Sequence, residues 1–397
     1  MSPASEAFVK RLVVLASLTV LGSAIAFLLV ACAQGSSASS AQPPTGRAAG
    51  WHSLPAAPIE VDAGLTSVWT GKELIVSGVR AGRGGTFIGS TDVAAAYDPA
   101  ARSWRRLPRP PKTPSFCRRD AVWSGAEMLV WGCETVAYEP GTNHWRRLPQ
   151  APAGAAGVVV WTGHEMIGWG GGCCGDARSD GAAYDPSADS WRKLAESPLA
   201  PEQGAIGAWT GRELLLFVSG IDPASGKPWP ARFARAAAYD PATDSWRRIT
   251  PLPRTGLRFG STAVWDGREV LVLGTGRNAR GALAYDPAAN RWRRLSPLPS
   301  ARFDPTSVWT GKRVLLWGSG ATLTAVTPDG LAYDPTADRW SSLPVAPLKG
   351  SGQTVAWTGR ELIAWGGVIG MPPGTHTAPT YSTEGAVFTP ARERSGR

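Results

Sequence analysis

Charge is scarce in this chain. Of its 397 residues only 18% are Asp, Glu, Lys or Arg, and the acidic sign is the rarer one, 31 against 41. With 43% hydrophobic residues, that balance excludes a disordered polyelectrolyte. Histidine and methionine occur four times each and tyrosine seven times. Several catalytic signatures are also missing. No Gly-x-Ser-x-Gly elbow or His-Glu-x-x-His pair is present. "GIDPASGK" lacks the spacing of a phosphate-binding loop and runs into proline, and "GTGRNARG" does not follow a strand and open a helix. The adjacent Cys173 and Cys174 have no set of His, Cys or spaced carboxylates nearby to complete a four-ligand zinc site. Neither a metal nor another cofactor is expected.

Turn formers and indoles are abundant instead: 47 Gly, 34 Pro and 19 Trp. Such a composition suits many short strands joined by turns. The net charge of +10, mostly arginine, favours solubility and attraction to anionic surfaces and does not bear on the fold. The arginines recur in repeated positions and form no single basic stripe, so nucleic acid is not an expected partner.

At the N-terminus, Lys10 and Arg11 precede an uncharged apolar run from Leu12 to Ala31, and small polar residues follow Cys32. These are the parts of an export signal. The last four residues, "LVAC", resemble the bacterial lipobox, and that resemblance implies a lipid on Cys32 as the mature N-terminus. A run of this length also suits an uncleaved transmembrane anchor. In both cases the remainder is expected outside, on the outer face of the bacterial cytoplasmic membrane, because the positive flank stays in the cytoplasm. The division is then residues 1–32 as signal and lipobox, 33–49 as flexible linker, 50–390 as one repetitive domain and 391–397 as a tail.

Two phrases recur from residue 50 onward. A Tyr-acid-Pro turn leading to tryptophan occurs six times, ending at Trp104, Trp145, Trp191, Trp246, Trp292 and Trp340. A tryptophan, a small Gly turn and an apolar run occur seven times, at Trp69, Trp123, Trp161, Trp209, Trp265, Trp309 and Trp357. The period is about 48 residues, which is long enough for one supersecondary unit. The second phrase reads as a hairpin of two apolar strands. In the first, the acid caps a turn, proline presets φ, and tryptophan opens the next strand. Two hairpins give four strands, and one such sheet cannot bury both faces alone, so the copies must stack.

Four strands, Tyr before the second turn and Trp after it resemble the kelch repeat. That resemblance implies an all-β, seven-bladed β-propeller, although a Gly-Gly doublet closes the second strand only at Gly170-Gly171 and Gly366-Gly367. The ends complement each other. "WHSLP" at Trp51 is a fourth strand without its predecessor, and "AVFTP" at Phe388 is a third strand without its successor. The last blade is therefore expected to be completed by the N-terminal strand. The galactose oxidase central domain is similar in scaffold, but its copper ligands are not carried over: six tyrosines belong to the repeated turn, leaving Tyr381, and His52, His144 and His164 fall on the wrong side, leaving His376.

Function is expected where the copies differ. The loops joining second to third strands, and each fourth strand to the next blade, vary greatly in length on one face, and loops on a rigid support are where binding resides. Arg118, Asp120, Glu202, Arg258, Arg302 and Asp304 precede or begin the inner strands and form the candidate ligand site; Asp62, Arg119, Gln203 and Gln353 occupy similar positions. Counting out from the Ser124-Gly125-Ala126 turn with Trp123 opposite Glu127 sets Cys117 opposite Cys133, a pairing that predicts a disulfide in an exported protein. Cys173 and Cys174 can close a vicinal disulfide or remain two thiols. The expected role is a non-catalytic binding or assembly module for a protein or glycan. The alternative is a carbohydrate-active enzyme similar to the kelch mutarotases and epimerases of acidic sugars, with Arg118, Arg258 and Arg302 holding a carboxylate and Glu202 or Asp304 moving a proton.

Overall fold

The computed structural model describes residues 49–82, 89–113, 119–154, 157–172, 176–253, 260–276, 278–302, 305–318, 329–348, 352–370 and 380–391. The signal segment, Cys32 and the linker up to residue 48 lie outside them, as do Cys117, Arg118, Cys173, Cys174, Arg258, Asp304 and His376. Among the described residues there is no helix, and seven four-stranded antiparallel sheets follow one another around a ring. Blades 1 to 6 begin at Ala63, Asp120, Val158, Ile206, Thr262 and Thr306 and each runs through four consecutive strands. Blade 7 comprises Thr354–Trp357, Leu362–Trp365, Gly385–Thr389 and, from the other end of the chain, Gly50–Ser53.

The closure rests on specific pairs. Trp51 faces Phe388 and His52 faces Val387 in the ladder, and the Leu54 N–H donates to the Gly385 carbonyl at 2.8 Å. Trp51 also packs on Trp317 of blade 6, with ring centroids 4.7 Å apart, and its indole N–H donates to the Pro344 carbonyl at 2.8 Å. The innermost strands of blades 7 and 1 lie side by side as those of blades 1 and 2 do.

Each second strand is buried along its whole core, for example Met128–Trp131, Leu214–Phe217 and Leu362–Trp365. Such strands have no solvent face, which is why they read as continuous apolar runs and not as alternating ones. The cores lie between blades. Ile167, Trp169 and Ala183 of blade 3 pack with Leu214, Leu216 and Tyr239 of blade 4, and Ile363, Trp365 and Val387 of blade 7 pack with Leu74, Val76 and Tyr97 of blade 1.

The repeated phrases fix their turns by short hydrogen bonds. In the first-to-second turn of blade 1, Thr70 Oγ1 accepts from the Lys72 and Glu73 N–H groups while Gly71 takes a φ of 91°, a value open to glycine without strain. In the third-to-fourth turns, Asp98, Asp185, Asp240, Asp286 and Asp334 accept from the backbone two residues on. Five residues after each repeated tyrosine the backbone is left-handed, at Arg102, Asn143, Asp189, Asp244, Asn290 and Asp338, which explains Asn or Asp in five of the six copies.

That left-handed residue has a second partner. Tyr138 and Tyr285 donate to Asn143 and Asn290 at 2.7 Å, and Tyr184, Tyr239 and Tyr333 donate to Asp189, Asp244 and Asp338. The first arginine of the outer strand reaches the same group from the preceding blade. Arg146 binds both oxygens of Glu127 at 3.0 Å within blade 2, then donates to Tyr184 at 3.2 Å and Asp189 at 2.9 Å in blade 3. Arg192 links Glu165 to Tyr239 and Asp244 in the same way. Arg105, Arg247 and Arg293 hold Glu73, Glu213 and Glu269. Six outer tryptophans add an indole N–H bond to the previous blade: Trp51, Trp104, Trp191, Trp246, Trp292 and Trp340.

The relay fails around blade 7. Blade 6 carries Arg313 where the other first turns carry Glu, and Ser341 where five other outer strands carry Arg. Blade 7 carries His52 at the arginine position, and its Glu361 accepts from Thr389 Oγ1 at 2.8 Å.

One expected register is corrected. Trp123 pairs with Met128 and Ser124 with Glu127, so the described ladder is shifted by one residue from the expected count. The cause is the four-residue turn, in which the Ser124 side chain accepts from the Glu127 N–H at 2.8 Å. Cys133 is exposed and disulfide-bonded, and every other cysteine lies outside the described residues.

Removing the closing indole with Trp51→Ala is expected to cost about 3 kcal/mol in urea unfolding. A loss below about 0.5 kcal/mol means that this strand does not hold the ring. The relay carboxylates predict an acid-labile ring. The Tyr184 hydroxyl and then Arg146 hold Asp189 below the ordinary aspartate range; Asp244 is opposed by partial burial but is held low by Tyr239, the Ala195 N–H and Arg192. A carboxylate with a depressed folded pKa contributes stability above its unfolded value, near pH 3.9, that is lost as pH falls through the folded value. The Asp189→Asn, Asp244→Asn pair keeps the hydrogen-bond acceptor found in Asn143 and Asn290. It is therefore expected to flatten the decline of Tm below about pH 4; an unchanged decline assigns it to other groups.

Candidate functional site

The loop-rich face collects the residues that lead into the inner strands. Asp120 is half-buried as the first residue of its strand and pairs with Trp131. Arg118, Arg258 and Asp304 fall outside the described residues. The other charged candidates are already engaged, and in each case the partner explains why.

Arg119 is buried, with its Nη1 2.7 Å from Asp92 Oδ1, and their side chains are 4% and 2% exposed. Asp92 also accepts from the Thr113 N–H and hydroxyl, both at 3.0 Å. The pair ties blade 2 to blade 1. Arg119 Nη2 is buried without a hydrogen-bond partner. Arg302 is 1% exposed and makes a two-pronged contact with Asp329, at 2.7 and 3.0 Å, while its N–H donates to the Ala279 carbonyl of blade 5 at 3.1 Å. Two parallel N–H bonds on one carboxylate are the strong form of this pairing.

Glu202 plays the corresponding part in blade 4. Its backbone bonds to Gly171 and Arg178 of blade 3, both at 2.9 Å. Its carboxylate accepts from the Ser219 N–H at 2.8 Å, from the Ser219 hydroxyl and from the Gly204 N–H at 3.4 Å. Both oxygens are occupied, so its present geometry is that of a staple. Asp62 accepts from the Ala81 N–H at 2.8 Å. Burial, and then the charge of Asp62, push the Tyr381 hydroxyl up to about 12. The other six tyrosines sit in the repeated turns with their rings buried. Gln353 is buried and Gln203 half-buried at the same level.

Above this stapled floor two loops rise as hairpins. In blade 4, Ile221 bridges to Pro228, Asp222 and Lys227 close the tip with a 2.8 Å bond, and Trp229 stacks edge-on against Phe233 at 6.0 Å. Ile221 is 40% exposed, one of two large apolar side chains so exposed among the described residues. In blade 7, Val368–Gly370 pairs with Thr380–Tyr381.

Sequence reasoning named Arg302 and Glu202 as ligand residues, whereas here they contact Asp329 and Ser219; it did not name Asp92, Asp329 or Ser219. A signal existed for the acids: charged residues stand four or five positions before the third-strand tyrosine in Asp92, Asp180, Arg235, Arg280 and Asp329.

Replacing Arg302 with alanine leaves the Asp329 carboxylate without its partner. Breaking a buried pair from one side costs about 3–5 kcal/mol, and Arg302→Ala is expected to show that loss in urea unfolding. A change within about 0.5 kcal/mol means that Arg302 is not a staple and is free to serve a ligand.

No family model matches the chain, and no curated protein matches it. Among solved structures it is similar to one titled "Structure of YjhT", at 15% identity over 73% of this chain and 99% of that one, with a TM-score of 0.50. At that identity the likeness is one of fold, and with the seven sheets described above it supports a kelch-like β-propeller.

Proposed function

We propose that this chain is an exported propeller, held at the outer face of the membrane through Cys32, that binds a protein or glycan on its loop-rich face without transforming it. The observation that carries this reading is the state of the charges at the channel mouth among the described residues. Arg119, Glu202 and Arg302 are each tied to a carboxylate or a serine between or within blades, and a general acid or base needs a reachable proton. The contact surface lies instead on the raised hairpins, with Ile221 at an exposed position and Trp229 and Phe233 packed on the core between blades 3 and 4. Export suits the disulfide at Cys133, with Cys117 as its proposed partner.

A glycan array probed with the purified protein tests the reading. Ile221→Asp is expected to weaken retention on the array about tenfold, while Glu202→Gln leaves it unchanged in a folded protein. Retained sugars should be recovered unaltered. Product formation that disappears in Glu202→Gln replaces the binding module with the sugar-transforming enzyme, and an array with no retained glycan leaves only a protein ligand.

A further inference from the structure

On the face opposite the loops, a cavity of about 700 Å³ opens between blades 5 and 6. It is lined by the first-to-second turns of both blades and the Asp334-Pro335-Thr336 turn of blade 6. Its charge departs from the repeat. Six blades place Glu after the Gly turn, as in Glu73, Glu127, Glu165, Glu213, Glu269 and Glu361, and blade 6 alone places Arg313 there. The arginine that would have met that Glu is replaced by Ser341. One acid has become a base inside the cavity wall, where Arg268 and Lys312 are also exposed.

The acids of the wall are engaged. Glu269 receives both prongs of Arg293 at 2.9 and 2.6 Å. Asp266 accepts from the Arg268 and Glu269 N–H groups at 2.8 and 2.7 Å, and Asp334 accepts from the Thr336 and Ala337 N–H groups with Arg313 Nε 3.9 Å away. Trp309 supplies an indole to the same wall.

The chain also enters the ring from this side. Gly50 pairs with Thr389 at the end of blade 7 that corresponds to the Asp286–Arg291 turn of blade 5. The described chain therefore begins on the face that holds the cavity. We propose that this cavity seats the phosphodiester of an anionic phospholipid headgroup, with Arg268, Lys312 and Arg313 as its cationic wall and Trp309 as its amphipathic edge. This rests on the membrane-anchored reading above. Basic groups beside the bilayer are attracted to anionic lipid, and an indole suits the headgroup level.

The repeat supplies an internal control, because Lys72 holds in blade 1, beside Glu73, the turn position that Lys312 holds in blade 6 beside Arg313. The full-length protein, purified with its anchor, is reconstituted into phosphatidylcholine vesicles with or without phosphatidylglycerol, and lysine acylation is read by mass spectrometry. Phosphatidylglycerol is expected to slow acylation of Lys312 about fivefold relative to Lys72, an occupied site shielding in proportion to its occupancy. Arg313→Glu, which restores the residue of the other blades, is expected to abolish the difference with Tm unchanged. Equal protection of both lysines, protection of neither, or a difference that survives Arg313→Glu overturns the site. Equal protection of Lys312 by glycerol phosphate in detergent, without lipid, overturns the assignment to a membrane lipid. Anchoring is scored separately by membrane sedimentation of Cys32→Ser; its failure leaves the Lys312 result readable with vesicles added from outside.

Discussion

A narrow sheet with two apolar faces has no solvent to turn to, and everything else in this molecule follows from that constraint. The second strand of every blade is buried on both sides, so a blade acquires its core only from its neighbours. Burial of this kind is non-directional. Spacing and orientation are set by the polar connections laid over it, namely the indole N–H bonds and the Glu, Arg, Tyr and Asp or Asn relays between successive blades. Individually these half-exposed ion pairs are worth little. Their repetition at one geometry fixes the rotation from blade to blade.

The two faces divide the labour. On the turn face the copies are nearly identical and their charges are arranged by the repeat. On the loop face the copies differ, and charge pins inner strands in place: Arg119 to the preceding blade through Asp92, and Glu202 within its own blade through Ser219. A floor held in this way is rigid, and a rigid floor lets the blade 4 and blade 7 hairpins present side chains at low entropic cost.

The ring, its seven blades and its closure by the first strand were legible in the sequence because each rests on a repeated phrase or on complementary ends. The acid-Pro turn was legible too, since its cause is local, whereas the left-handed Asn or Asp that follows it came from the structure. The staples were not. Asp92 and Asp329 stand at a repeated position before the third-strand tyrosine, but which group each one meets depends on where a loop returns, which no period records. The Trp123–Glu127 pairing failed for a related reason: one residue more in the Ser124 turn than the count assumed shifts every described cross-strand neighbour. The arginine that follows five of the outer tryptophans is exposed by its sequence context but is bound in the fold, because its neighbour is Glu from the first turn of the same blade.

Blade 7 is assembled from Gly50–Ser53 and from residues more than three hundred positions later, and the relays stop on either side of it. During synthesis, the segment made first is paired last. Until Phe388 arrives, Trp51 has no ladder partner and the incomplete ring exposes both the inner flank of blade 1 and the outer flank of blade 6. Closing so long a loop is slow relative to local hairpin formation, so an open six-blade arc precedes the ring.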